Sequence, residues 1–444
     1  MRDFGRSDDP RVQAQLDRLA ALSLPQGRLG LDTIRALMER LGNPHRKLPP
    51  VFHVAGTNGK GSTCAFLRAM LEAEGYRVHV TTSPHLVRYN ERIRLAGELI
   101  SDAMLADVLQ EVLDAGEDLG PSFFEVTIAA AFLAFSRVPA DVCVVEVGMG
   151  GRFDATNVLE PDVLAACGIA ALGLDHERFL LAPEVGVPQE PMARIAFEKA
   201  GIAKRGVPLV TMGELYPHES QATIRAVAEK AGAEHFPFGI GEAGEDWYCD
   251  EYNAGQGFLF YREQYWEEFS FPAPALIGQH QCENAGLAIA MLRRQTRCPV
   301  SEKAIGDGIR AARWPARLQR LSPGPLTALA PDQPVWLDGG HNPSAGAAIA
   351  AHFGGPLHLV IGMIEGKDPR AIIEPLAGRI RTLTVVPVPG HDHHPVEAFG
   401  PQAKAADNVE DALLHIPADD YPILIAGSLY LAGEVLRLND ELPD

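Results

Sequence analysis

His53-Val-Ala-Gly-Thr-Asn-Gly-Lys-Gly-Ser62 decides the fold. It ends the apolar run Val51 to Gly56, which reads as a buried strand, and it opens Ser62 to Glu74, which reads as a helix. Glycines at such a turn let the backbone bend tightly and aim successive N–H groups at a phosphate, while the helix dipole and the Lys60 ammonium add positive potential. Gly56, Thr57, Asn58, Gly59, Lys60, Gly61 and Ser62 are therefore candidate nucleotide-phosphate residues, with a plain structural turn as the other reading. The loop departs twice from the pattern G-x-x-x-x-G-K-[ST]: Val54 stands where the first glycine belongs, and Gly61 follows the lysine. Ser62 comes one place late for the hydroxyl that reaches magnesium. Ser83, in Thr81-Thr-Ser-Pro-His85 at the end of the next predicted strand, is the candidate to supply that ligand.

Outward from this loop, apolar runs alternate with helical patterns. Val51 to Gly56, Arg77 to Thr82, Asp141 to Val147, Asp162 to Ile169 and Val207 to Met212 read as strands; Ser62 to Glu74, Ser101 to Ala115, Ser122 to Arg137 and Met192 to Lys204 read as helices. The alternation predicts an α/β fold with a doubly wound, mostly parallel sheet. Ligands in such sheets bind at strand C-termini, and two further stretches fall there. Glu146 ends an apolar strand ahead of Val-Gly-Met-Gly-Gly-Arg152, which makes it a candidate magnesium ligand. Leu174-Asp-His176 offers an imidazole that reads either as a core histidine or as a ligand. Trp247 to Phe271 holds ten of the 31 aromatics, with a turn-like Asn253-Ala-Gly-Gln-Gly257, and reads as an antiparallel excursion. After the helix Gln281 to Arg294, the segment Gln295 to Val300 reads as a hinge. Strand-like Val335 to Leu337, Leu357 to Ile361, Thr382 to Val386 and Ile423 to Ala426 then predict a second, smaller α/β domain, so the expected domains are 1–297 and 298–444.

Composition narrows the function classes. The 444 residues carry 39 Lys+Arg against 58 Asp+Glu, a net charge of −19, which argues against a nucleic-acid partner because phosphate neutralisation needs a basic surface. No run of 18 apolar residues lacks a charge or turn residue, and no apolar core follows Arg2, so neither a membrane span nor a secretory signal is expected. The six cysteines are spaced too widely for a C-x-x-C motif or a disulfide framework. Together these features predict a cytoplasmic protein without membrane or nucleic-acid partners.

Seven motifs occur in order over nearly the whole chain: Gly56-Thr-Asn-Gly-Lys-Gly-Ser62, Thr82-Ser-Pro-His-Leu-Val-Arg-Tyr-Asn-Glu-Arg92, Glu146-Val-Gly-Met-Gly-Gly-Arg-Phe-Asp-Ala-Thr-Asn157, Leu174-Asp-His176, Glu198-Lys-Ala-Gly-Ile202, Asp338-Gly-Gly-His-Asn-Pro343 and Gly427-Ser-Leu-Tyr430. In these the chain resembles the Mur ligase superfamily and, within it, the folylpolyglutamate synthase / dihydrofolate synthase family. The resemblance implies an ATP-dependent amide ligase. The γ-phosphate of ATP converts a carboxylate to an acyl phosphate, which the amine of L-glutamate attacks; dihydropteroate and reduced folates are the implied acceptors.

It also implies two Mg2+ ions, one on Ser83 and Glu146 and one on His176, and leaves room for a monovalent cation. Lys199, otherwise readable as a solvated helix lysine, would be carbamylated and help hold the second ion. Carbamylation needs a neutral amine, which burial favours. Asn284, Arg317 and Asp338 resemble the family's adenine, phosphate and ribose contacts, so ATP would join the two domains. His341 and Ser428 match positions near the incoming glutamate, the other readings being a turn residue and a helix N-cap.

Gly27, Arg28, Leu29, Ser122, Phe123, Phe124, Glu125, Arg152, Phe153 and Asp154 align with segments that line the pteroate pocket; an amphipathic helix face explains the two phenylalanines nearly as well. A monomer is expected. Two other functions fit parts of the pattern: a Mur-type ligase of a nucleotide-linked cell-wall precursor, disfavoured by Gly61 and by the lack of a uridine-nucleotide domain before residue 51, and a non-catalytic nucleotide or folate-binding regulator, disfavoured by the joint presence of Lys60, Glu146, His176 and Lys199. The chain departs from the family in a longer, proline-bearing segment at 179–191 and in Gly340, which replaces a more usual alanine. His391-Asp-His-His394 reads as an ordinary exposed loop rather than a metal site.

Overall fold

A computed structural model describes residues 6–22, 30–239, 247–252, 257–263 and 268–443. It separates into two compact units, one made of Met1–Ala275 with Gln281–Arg313 and the other of Leu276–His280 with Trp314–Asp444.

The first unit is built on eight strands: β1 (Val51–Ala55), β2 (Val78–Thr81), β3 (Ile93–Leu95), β4 (Glu98–Leu99), β5 (Val142–Glu146), β6 (Leu164–Ile169), β7 (Pro208–Thr211) and β8 (Glu234–Pro237). Their order is β4-β3-β2-β5-β1-β6-β7-β8. The six from β2 to β8 run parallel, and β3 and β4 form an antiparallel edge. Every residue of β1, β2, β5 and β6 is buried, as continuous apolar runs require when helices cover both sheet faces. The helix Phe123–Arg137 is correspondingly apolar, with ten consecutive buried residues from Val126 to Phe135.

The chain places β1 at the centre, lays β2 and β5 on one side, then continues with β6, β7 and β8 on the other. The C-terminal ends of β1, β5 and β6 are thus side by side at the point where the winding reverses, which is where doubly wound sheets hold ligands. β9 (Trp247–Tyr252), β10 (Phe258–Glu263) and β11 (Glu268–Pro272) form the antiparallel excursion. The turn expected at Asn253 to Gly257 lies mostly outside the described residues.

The expected boundary at 297/298 is corrected to 313/314. The helix Glu302–Ala311 stays with the first unit because it packs on the helix Lys60–Glu74. Contact is so close that a Cβ on Gly308 would stand 2.4 Å from the Met70 Cα. The supposed hinge is a tied turn: the buried Gln295 amide donates to the carbonyls of Leu292 (2.9 Å) and Cys298 (2.8 Å) and accepts from the N–H of Arg297 and Cys298.

The second unit carries β12 (Gln319–Arg320), β13 (Val335–Asp338), β14 (Leu357–Ile361), β15 (Ile380–Val385), β16 (Ala403–Ala405) and β17 (Ile423–Ala426), in the order β12-β13-β17-β14-β15-β16. All pair in parallel except β12 with β13. Leu357, Leu359, Ile361, Leu376 and Leu424 are at its core. Among the described residues no helix is long and apolar enough to cross a membrane, and all six cysteines are buried free thiols.

Candidate active site

The loop after β1 has the shape its glycines allow. Gly56 and Gly59 have φ of 151° and 82°, and a Cβ on Gly59 would stand 2.3 Å from Oδ1 of Asn284, so this side chain lies directly on the loop. Asn284 itself is buried and donates to Gln281 Oε1 at 3.1 Å. Thr57 and Asn58 donate their N–H groups to the Ala171 carbonyl, and the Thr57 hydroxyl bonds Gly173 O at 2.9 Å, which ties the loop to the segment after β6. Lys60 opens the helix Lys60–Glu74, with Gly61 and the buried Ser62 in its first turn and no side-chain cap on Gly59.

Two lysines converge on one carbonyl. Lys60 Nζ donates to Gly56 O at 3.1 Å, and Lys199 Nζ donates to the same oxygen at 2.9 Å. Lys199 is buried in the helix Pro191–Ala200, which removes the solvated-lysine reading. Burial, helped by the Lys60 charge, brings its ammonium down to about 7, against smaller opposing effects of Asp175, Asp154 and Glu198.

At the neighbouring strand ends, the buried Glu146 carboxylate accepts the backbone N–H of Ser83 at 3.1 Å, which brings those two predicted residues together. His176, at φ 53°, heads the short helix Glu177–Leu180; its side chain is 34% exposed, and this excludes the core-histidine reading. Asp175, given no role from the sequence, acts on the Lys199 charge and is the residue that sequence reasoning missed although it adjoins His176.

The residues expected on the acceptor side divide into packing and capping roles. Ser122 and Glu125 form a capping box, the carboxylate accepting both Ser122 N–H (2.7 Å) and Ser122 Oγ–H (2.8 Å). Phe124 lies against the loop after β5, where a Cβ on Gly148 would be 2.3 Å from its ring. Phe123 meets Tyr89 edge-on with centroids 5.9 Å apart. Asp154 is buried and held above the usual carboxylate range by burial; it accepts the N–H of Met149 and Thr156 and orders the glycine loop. Arg152 is clamped between Glu184 (2.6 Å) and Glu198 (2.7 Å), over the rings of Phe153 and Phe197. Gly27, Arg28 and Leu29 lie outside the described residues.

The clamp explains the long segment 179–191. Its Glu184 also bonds Arg194 at 2.9 Å, and Arg194 bonds Glu198 at 3.0 Å, so two arginines and two glutamates close a largely buried, charge-neutral ring one residue from Lys199. The Arg152 N–H donates to the Glu198 carbonyl at 2.7 Å, and a Cβ on Gly151 would stand 2.8 Å from the carbonyls of Glu198 and Lys199. The lysine helix and the loop after β5 are joined as one piece.

In the second unit, the buried Asp338 accepts from Leu318 N–H (2.8 Å) and Gly340 N–H (2.7 Å); burial raises its carboxyl, and Arg317 opposes that rise. Arg317 sits between two left-handed non-glycine residues, Ala316 (φ 55°) and Leu318 (φ 43°), a strained backbone of the kind that persists where surrounding structure holds it. Gly340, where the family more often has alanine, leaves no room for one here: a Cβ would stand 2.6 Å from Ala345 Cβ and 2.7 Å from Asp338 Oδ1. His341 bonds the Gly339 carbonyl at 3.0 Å, and Ser428 is buried and N-caps the helix Leu429–Leu438. The loop at 391–394 is less exposed than expected: all three imidazoles are half-buried and bond backbone carbonyls, and His391 stacks on Tyr430 at 3.8 Å.

No family model matches the chain. It is 34% identical over 425 residues to the folylpolyglutamate synthase of Lacticaseibacillus casei, covering 90% of this chain and 92% of that protein. Escherichia coli FolC in complex with DHPP and ADP superposes with a TM-score of 0.80 at 29% identity, covering 97% of each chain. A bifunctional folylpolyglutamate synthase/dihydrofolate synthase with Mn, AMPPNP and L-glutamate bound superposes equally well, TM-score 0.80 at 28% identity over 98% of this chain and 99% of that one. With relatives of this similarity spanning nearly its whole length, the chain belongs to the folylpolyglutamate synthase/dihydrofolate synthase family of ATP-dependent ligases.

Proposed function

We propose that the protein joins L-glutamate to dihydropteroate and to reduced folates through an acyl phosphate made with ATP. The observation that carries this reading is the pair of lysines on the Gly56 carbonyl beside the Ser83–Glu146 contact. The N–H groups of the first turn of the helix Lys60–Glu74 and the Lys60 ammonium would face the phosphates, and the Lys60 charge would offset that on the transferring phosphoryl group. Asn284, from the helix Gln279–Arg293, lies against the same loop and would reach the nucleotide. Arg317 and Asp338 would serve phosphate and ribose; His341 and Ser428 would receive the glutamate.

The Ser83 hydroxyl and the Glu146 carboxylate fit one magnesium ion, which typically takes one or two protein oxygens and completes its shell with phosphate oxygens and water. A second ion on His176 needs an anion beside it, and a carbamate on Lys199 would supply one. An amine brought down to about 7 is in good part neutral near neutral pH and so competent to take up carbon dioxide. When bound, magnesium would reduce repulsion between the two reacting anions.

Phe124 against Gly148 and Phe123 beside Tyr89 line the approach for a flat pterin, while Ser122 and Glu125 fix the helix start that presents them. The test is one assay panel: purified protein with Mg-ATP and glutamate, given dihydropteroate or tetrahydrofolate, with phosphate release and amide product measured. Turnover with either acceptor supports the reading, and the pair shows whether one or both syntheses are present. No turnover with either overturns it.

A further inference from the structure

The segment from Ser83 to Arg92 links the Glu146 corner to the helix that carries Phe123 and Phe124. Glu91 accepts the N–H groups of Leu86 (2.7 Å), Val87 (2.9 Å) and Arg88 (2.6 Å) and so draws the segment into one fixed turn. Arg92 is 1% exposed, with its guanidinium over the rings of Tyr89 and Phe123 at 5.3 and 5.4 Å. The Arg92 Nε donates to Nδ1 of His85 at 2.8 Å. An arginine Nε always carries its proton, so Nδ1 is the acceptor and the imidazole proton sits on Nε2. The His85 ring is half-buried, two residues beyond Ser83, and lies 5.6 Å from Tyr89, which in turn is edge-on to Phe123. His85 thus presents an imidazole of set tautomer on the segment that runs from the Ser83–Glu146 contact to the rings of Tyr89 and Phe123.

Resting on the function proposed above, we propose that His85 donates its Nε2–H to the acceptor's non-phosphorylated carboxyl oxygen. That oxygen is the one on which negative charge returns. When the glutamate amine adds, its lone pair forms the C–N bond and the C=O pair moves onto the oxygen. Collapse restores C=O, breaks the C–O bond to phosphorus and expels phosphate, and the amine proton leaves to phosphate or water. His85 gives up no proton; it stabilises the oxyanion through a hydrogen bond aimed in advance, an interaction whose removal costs about 10²- to 10³-fold in rate. Its contribution lies in amide formation more than in acyl phosphate formation.

Two variants separate this role from support of Arg92. His85→Asn keeps an acceptor where Nδ1 was and loses the Nε2 donor; His85→Gln reaches the Nε2 position with an amide N–H. With dihydropteroate or tetrahydrofolate as acceptor, H85N is expected to lose about 10²-fold in kcat for ligation. Its KM for ATP and glutamate, its melting temperature and its positional isotope exchange in ATP (which reports acyl phosphate formation) should stay near wild type. H85Q should recover part of the loss. Wild-type ligation by H85N, or equal loss of exchange and ligation in both variants with a lowered melting temperature, overturns the proposal. If neither variant folds, 15N-histidine spectra of the wild-type chain decide: Nε2–H must respond to dihydropteroate plus a non-hydrolysable ATP analogue, and an unmoved signal overturns it. A wild type inactive with both acceptors overturns the function as well, whereas an active wild type beside a fully active H85N removes only His85.

Discussion

The loop after β1 and the helix Pro191–Ala200 deliver the same chemical group to the same atom by opposite means. Lys60 reaches the Gly56 carbonyl from four residues away, within one turn whose geometry two positive-φ glycines dictate. Lys199 reaches it from 143 residues away and is buried in doing so. The first lysine keeps its place by local stereochemistry; the second keeps it through the ring of Arg152, Glu184, Arg194 and Glu198. Location also separates their chemistry, since burial brings Lys199 to about 7 beside a neighbouring cation. A loop can bring a charge to a phosphate, but only a packed interior brings a lysine down to where its amine is in part neutral near pH 7.

The largest effect should come from Lys60→Ala, which removes the charge opposite the transferring phosphoryl group and is expected to cost roughly 10³-fold or more in kcat with the melting temperature nearly unchanged. Near-normal phosphate release by the folded variant would mean that the loop does not hold ATP.

Next comes Lys199→Ala, expected to lose about 10²-fold in ligation and to be partly rescued by formate or acetate, whereas Lys199→Arg, permanently charged and bulky, is not rescued. The same lysine predicts a pH effect. Because its folded value lies below its unfolded one, the unfolded chain binds more protons between about 7 and the ordinary lysine range, so stability rises with pH across that window. Denaturant titrations in CO2-free buffer at pH 7 and 9 should show this rise in the wild type and a smaller one in Lys199→Met; equal slopes would refute the perturbed amine.

Glu184→Ala tests whether the long segment anchors the lysine helix. It leaves two arginines sharing Glu198 and should destabilise by about 3 kcal/mol, as losing one partner of a buried charge network does. Lowered ligation with unchanged KM for ATP would show that the damage is on the Lys199 side. A fully stable variant would reduce the segment to a surface excursion.

The smallest effect is expected from Ser122→Ala, which removes one half of a capping box, at about 1 kcal/mol of stability. Ser122→Ala with a much higher KM for dihydropteroate and an unchanged melting temperature would instead assign the hydroxyl to the acceptor.

How much of this was legible in the chain follows from the range of each interaction. Sequence patterning located β1, β2, β5 and β6 within a residue or two, since a strand buried on both faces must be continuously apolar. Glycine punctuation marked the phosphate loop, and the motif order led to the family. β8 was missed because an edge strand of four residues, Glu234–Pro237, is only partly buried and lacks an apolar run. The domain boundary was misplaced because Gln295 and its polar neighbours resemble a linker by composition, whereas their side chains close a turn and Gly308 packs onto Met70.

The sequence by itself determined the doubly wound class, the nucleotide loop, and which residues could carry chemistry, because those properties are written in local periodicity and residue type. Tertiary structure alone decided that Lys199 is buried against Gly56, that Ser83 N–H meets Glu146, that Glu184 belongs to the ring around the lysine helix, and that Arg92 sets the tautomer of His85. Each of these depends on residues distant in the chain or on the burial around them, and desolvation and hydrogen-bond partnership arise only once the elements have packed.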